Sequence, residues 1–268
     1  MTVTPLYDPK QTGRPMRVAA FMSGSGTNIV KLLEKQKELK VREGSAPFEV
    51  VFIFSDRSDG ACRGEKIALE NGLPYFSYDI RMFHKQRGLK RTVLTPEGLS
   101  ARKEFDQMAA HLLCTFTIDV IALGGYMSYT TLSPCINVHP ADLSILTAQG
   151  KRKYTGDRAV LDAILAGEKT LRASTLWTDA SVDTGPLLLL SAPLKVELPE
   201  PLEKLAGNRE KLLQTATEHQ QRLKEAGDWL IFPLTVEMVA RSRLALDEKK
   251  QLHVDGEPWP QGYPVDQV

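Results

Sequence analysis

The chain has 268 residues, of which 42% are hydrophobic and 25% charged, with a formal net charge of +1. That length can bury a substantial core, and the composition is ordinary for a soluble globular protein. The near-neutral balance excludes a general electrostatic drive toward nucleic acid or an anionic membrane, and no apolar run approaches the about 20 residues that a membrane helix needs.

Residues 1–15 are polar and Pro-containing, lack the apolar core of a signal peptide and read as a flexible arm; residues 16–268 read as one domain. Arg17 to Phe21 reads as a buried strand, and Ser23-Gly24-Ser25-Gly26-Thr27-Asn28 as a glycine-rich turn. A helix follows from about Ile29, with Ile29, Leu32, Leu33 and Leu39 on its apolar face. Phe48 to Phe54 reads as a second strand, Arg63 to Asn71 as a helix closed by Gly72, and Leu73 to Tyr78 as a third strand. Ile80 to Gly98 is basic and reads as irregular. Ser100 to Leu113 returns to helical spacing with Ser100 as a candidate N-cap.

Ile118 to Leu123 and Ile136 to Val138 read as strands, Thr147 to Gly156 as a polar, basic loop, and Asp157 to Leu165 as a helix capped by Asp157 and ended by Gly167. Leu171 to Thr178 and Leu187 to Leu194 read as strands flanking a loop that carries Asp183. Glu203 to Ala226 is a charged amphipathic helix or a pair of helices, and Phe232-Pro233 begins another through Ser242. Leu244 to Val254 suggests a hairpin, with a turn at Asp255-Gly256. Strands alternating with helices predict an α/β protein with a mostly parallel sheet covered on both faces, and the closer-spaced later strands predict antiparallel additions in the C-terminal half. Cys62, Cys114 and Cys135 lie far apart, with no CxxC pair and no zinc spacing. They read as buried small hydrophobes in a reducing cytoplasm, so a cytoplasmic protein without a metal is expected.

Three short runs carry chemistry. The glycine-rich turn would expose backbone N–H groups at the positive end of a helix dipole, where a phosphate binds. Position 29 is isoleucine, so the dinucleotide pattern is absent, and so is the lysine of a P-loop. Asn137-Val138-His139-Pro140 places an amide and an imidazole two residues apart on an extended segment, hence on one side of it. Asp183-Thr184-Gly185-Pro186 supplies a carboxylate. An amide that donates to an oxyanion, an imidazole that shuttles a proton and a carboxylate that orients it suit acyl transfer.

In this order, with Gly125-Tyr126-Met127, Ile231-Phe232-Pro233-Leu234 and Pro260-Gln261-Gly262-Tyr263, the runs make a chain that resembles the folate-dependent formyltransferases, most closely the branch acting on phosphoribosylglycinamide (GAR), from about Arg17 to near the C-terminus. The resemblance implies a Rossmann-like formyltransferase fold, a phosphate-binding half over about residues 16–125 and a folate and catalytic half beyond it. It also implies formyl transfer from 10-formyltetrahydrofolate to the primary amine of glycinamide ribonucleotide, without a metal. Carried over residue by residue, Asn137, His139 and Asp183 are the catalytic set, Gly26, Thr27 and Asn28 hold the substrate phosphate, and Tyr126, Met127, Tyr129 and Arg102 border the folate. Asp228 matches an acidic residue of the family before its Tyr-Pro-Leu stretch.

The chain departs from the family after His139-Pro140, where Ala141 to Leu146 replaces Ser-Leu-Leu-Pro and a basic insert runs from Thr147 to Tyr154. Ser128 stands where the family has arginine, and the connection from Met127 to Asn137 is shortened. These departures bear on the acceptor, so another amine or water (10-formyltetrahydrofolate hydrolysis) and a non-catalytic folate binder are the alternatives. Small-molecule substrates are expected, with neither nucleic acid nor membrane as partner, and a monomer or homodimer. The basic clusters His84 to Arg91 and Lys151 to Lys153 read as solvated loops, or else as contacts to a phosphate or a folate glutamate tail.

Overall fold

The structure is a computed structural model, and it describes residues 2–178 and 185–267. Its centre is a sheet of eight strands: β1 (Met16–Met22), β2 (Phe48–Ser55), β3 (Tyr75–Ser77), β4 (Val120–Leu123), β5 (Cys135–His139), β6 (Ser174–Trp177), β7 (Leu187–Leu190) and β8 (Tyr263–Pro264). Across the sheet they run β8-β7-β6-β5-β4-β1-β2-β3. The half from β5 to β3 is parallel; β6 is antiparallel to both β5 and β7, and β8 pairs with β7 in parallel.

The helices that accompany the sheet include α1 (Thr27–Glu43), α2 (Gly64–Glu70), α3 (Ile80–Gln86), α4 (Pro96–Thr115), α5 (Ala159–Leu165), α6 (Arg209–Leu223) and α7 (Trp229–Ala240). Successive residues of β1 point to opposite faces. Val18, Ala20 and Met22 join one apolar cluster with α1, α2 and α7, while Ala19 and Phe21 join another that is closed by α4. Val51 is an extra residue in the β1–β2 ladder, so Val50 and Phe52 face opposite clusters despite being two apart. Burial on both faces explains why β1 reads as a continuous apolar run.

Several elements differ from expectation. Within the segment expected to be a flexible arm, Val3–Pro5 pairs with Leu244–Asp247 in a separate antiparallel sheet that also holds Leu252–Val254 and Glu257–Pro258. Tyr7 anchors that segment: its ring is buried, and its hydroxyl donates to the Arg14 carbonyl at 2.7 Å. The stretch expected to be irregular contains α3, started by the Asp79 carboxylate, which accepts from the Arg81 and Met82 amides. Helix α4 starts earlier than expected, capped by Thr95 with Pro96 in its first turn, and Ser100 lies inside it. Asp157 does not cap α5, which begins after Arg158 without a side-chain cap. Cys114 is exposed, whereas Cys62 and Cys135 are buried as expected. The charged segment after Glu203 resolves into Leu202–Ala206, α6 and a π-helical stretch, Lys224–Asp228, that runs straight into α7. Pro233 lies inside α7 instead of starting it. No helix among the described residues is long and apolar enough to cross a membrane.

Candidate functional site

The C-terminal ends of β1, β4 and β5 converge on a pocket of about 640 Å³, at the strand ends where open α/β sheets bind ligands. Its first wall is the turn between β1 and α1. Gly26 sits there at φ +69°, and a Cβ on it would lie 2.4 Å from Met22 Cε and 2.7 Å from Ile67 Cδ1. A side chain is therefore excluded by both conformation and space. Gly26, Thr27 and Asn28 line the pocket at the start of α1, where the first-turn N–H groups have no helical acceptor. Asn28 Oδ1 is buried and without a hydrogen-bond partner among the described residues.

The second wall follows β4. Gly124 lets the start of α1 come close: a Cβ there would lie 2.3 Å from Ile29 Cδ1. Tyr126, Met127 and Tyr129 line the pocket next. The Tyr126 ring is buried edge-on against Phe21, with centroids 5.5 Å apart, and burial pushes its phenol well above the ordinary tyrosine range. Met127 is mostly exposed, and its N–H donates to Ser23 Oγ at 2.9 Å.

The third wall is β5. Asn137 and His139 both line the pocket, as the two-residue period of a strand requires. His139 is 9% exposed, and its Nε2 is buried. Asp183 lies outside the described residues. The Gly185 carbonyl accepts from Arg152 Nη2 at 2.6 Å, so the basic insert touches the chain two residues beyond Asp183.

Arg102 is not in this pocket. It lines an adjoining cavity of about 280 Å³ that shares Met127, Ser128 and Tyr129 with the first. Its guanidinium is 2% exposed and forms a two-pronged pair with Asp106, at 2.6 and 3.1 Å, while Nη2 also donates to the Tyr126 hydroxyl at 3.0 Å. Nη1 is buried and has no partner among the described residues. Of the basic clusters, Arg91 lines this second cavity, Arg87 pairs with Glu104 and Lys153 pairs with Glu168.

The fourth wall comes from α6 and the π-helical stretch: Gln220, Gln221, Lys224 and Asp228. Only Asp228 was singled out in the sequence. The repeat of polar residues every four positions through Gln220, Lys224 and Asp228 is the signal for the rest, because such positions share one helix face. Asp228 is 2% exposed and Oδ1 lacks a partner among the described residues. Burial pushes its carboxyl up to about 7, with Lys224 acting in the opposite sense. The altered stretch after His139 faces the core more than the pocket. Ala141 and Leu143 are buried, and Ser174 Oγ pins them by donating to the Ala141 carbonyl and accepting the Leu143 N–H.

The pocket thus joins a helix N-terminus, an amide, an imidazole and a buried acid. The chain is 22% identical over 255 residues to the phosphoribosylglycinamide formyltransferase of Haemophilus influenzae, covering 92% of this chain and 98% of that one. It is 26% identical over 182 residues to the trifunctional purine biosynthetic protein adenosine-3 of Chironomus tentans, covering 65% of this chain and spanning only 11% of that much longer protein. Its fold matches the solved phosphoribosylglycinamide formyltransferase of Coxiella burnetii with a TM-score of 0.63 and 22% identity, over 94% of this chain and 99% of that one. The profile of the family described as Formyl transferase matches residues 16–205. Spanning well over half of the sequence, that match establishes that the chain belongs to the formyl transferase family and is a formyltransferase.

Proposed function

We propose that the chain transfers a formyl group from 10-formyltetrahydrofolate to the primary amine of glycinamide ribonucleotide, a step of purine biosynthesis. The observation that carries this reading is that Asn137 and His139 share one pocket with the helix start at Gly26 to Asn28. An amine and a phosphate on one small molecule therefore reach the reacting centre and an anion-binding site together. The N–H groups at Gly26, Thr27 and Asn28 would hold the phosphate. Tyr126, Met127 and Tyr129 would border the folate, and Arg102, in the adjoining cavity, would meet its acidic tail.

In the reaction the amine nitrogen attacks the formyl carbon and the carbonyl oxygen becomes an oxyanion. Asn137 and protonated His139 donate to that oxygen. Collapse breaks the bond from the formyl carbon to N10 of the folate, which takes up a proton as the attacking amine gives one up. Asp183 would favour the protonated imidazole and help relay that proton. Asp228, buried in the same pocket, would accept from the hydroxyl or amine groups of the nucleotide.

The test is loss of formyl from a 10-formyl folate by the purified protein, with and without glycinamide ribonucleotide. Turnover that requires the nucleotide supports the reading. Turnover without it identifies a hydrolase, and turnover only with another amine moves the acceptor.

A further inference from the structure

We propose that Asp56 is a positioning residue that locks the phosphate-binding turn to the Tyr126–Tyr129 wall, so that the phosphorylated amine and the folate bind with positive coupling. The inference rests on the reading above.

Asp56 follows β2 directly and is 2% exposed. Ser23 Oγ donates to its Oδ1 at 2.6 Å, and the Ser128 hydroxyl donates to its Oδ2. Ser23 opens the glycine-rich turn; Ser128 follows Met127 in the facing wall. The two segments also meet directly. The Ser23 N–H donates to the Gly125 carbonyl at 3.1 Å, and the Met127 N–H donates to Ser23 Oγ. The Asp56 carbonyl accepts from the Ile80 N–H at 3.1 Å, tying the start of α3 to the same point.

No ion pair to Asp56 occurs among the described residues. Both side-chain oxygens are hydrogen-bonded, and these bonds offset the cost of burying the group. The side chain offers two hydrogen-bonding positions. Each takes one serine, and the two serines belong to the two ligand-facing segments. Ordering one segment around its ligand therefore fixes the other, and the second ligand meets a wall that is already ordered. A coupling transmitted in this way is commonly 5–150-fold in affinity, roughly.

The measurement is calorimetric titration with an unreactive pair, glycinamide ribonucleotide and 5,8-dideazafolate, each titrated alone and in the presence of the other at saturation. Wild-type protein is expected to bind each ligand about 5-fold tighter or more when the other is present. Ser128→Ala removes one leg of the link and leaves the bond between Ser23 and Asp56; whatever its affinity for each ligand alone, binding of one ligand should no longer depend on the other. Asp56→Asn should restore coupling relative to Asp56→Ala, because its amide oxygen accepts from Ser23 and its amide nitrogen donates to Ser128. A merely structural role would move the unfolding temperature and the single-ligand affinities but leave their ratio with and without the other ligand unchanged. Coupling that survives Ser128→Ala, or wild-type protein that binds both ligands independently, overturns the proposal. If wild-type protein binds neither ligand, the functional reading itself is overturned, and the coupling with it.

Discussion

Asp228 makes stability depend on pH in the direction opposite to an ordinary salt-bridged carboxylate. Its carboxyl titrates near 7 in the folded protein against 3.8 as the ordinary value. Between those pH values the folded state keeps a proton that the unfolded chain releases, so stability falls as pH rises and the deficit is complete above about 7. Replacing it by the neutral Asp228→Asn should remove the effect. The stability of the variant relative to wild type should grow by about 2 kcal/mol between pH 5.5 and pH 8, at about 1.36 kcal/mol per unit. Urea unfolding at the two pH values measures this, and an equal difference at both would refute it. Asn137 and His139 are tested by turnover. Truncating either to alanine should lower kcat by roughly 100- to 1,000-fold, the usual effect of losing one oxyanion donor, while the circular dichroism spectrum stays native. A folded variant with near-normal turnover removes that residue from the mechanism.

Helix starts and loop braces decide where these side chains stand. Gly26→Ala would force a methyl group against Met22 and Ile67 at a backbone angle that disfavours it. It should weaken binding of glycinamide ribonucleotide at least 10-fold by calorimetry (about 1.4 kcal/mol) and leave folate binding close to wild type. Arg152 braces the Gly185 carbonyl, two residues beyond Asp183, and Arg152→Ala should lower kcat more than it changes KM for either substrate. Steady-state kinetics with both substrates varied decides this; unchanged kcat would detach the insert from the chemistry. These elements were unequally legible in the sequence. The glycine-rich turn, the apolar stripe of α1 and the alternation along β5 are local patterns, and they placed Gly26 to Asn28, Asn137 and His139 in one pocket. Helix α3 was missed because a basic run hides the Asp79 cap. Gln220, Gln221 and Lys224 escaped because a helix that crosses the site looks, in sequence, like any solvated amphipathic helix. Asp56 was invisible for a different reason: its partners, Ser23 and Ser128, are brought to it only by the sheet.

At the scale of the molecule, one sheet carries both the core and the site. Phe21 packs against Phe54 at 4.7 Å and against Tyr126 at 5.5 Å between ring centroids, in the cluster directly beneath the Tyr126–Tyr129 wall. Phe21→Ala should cost about 3–5 kcal/mol of stability and loosen folate binding as well; thermal unfolding and folate titration on one sample test both. The pairing of Val3–Pro5 with Leu244–Asp247 joins segments far apart in the sequence. A ribosome delivers the first of these strands long before the second, so Val3–Pro5 must wait for Leu244–Asp247 to be made before it finds its partner. Nascent chains stalled before Leu244 should expose residues 3–14 to protease, and chains released beyond Val254 should shield them. The seam that holds Val3–Pro5 in place thus closes only late in synthesis.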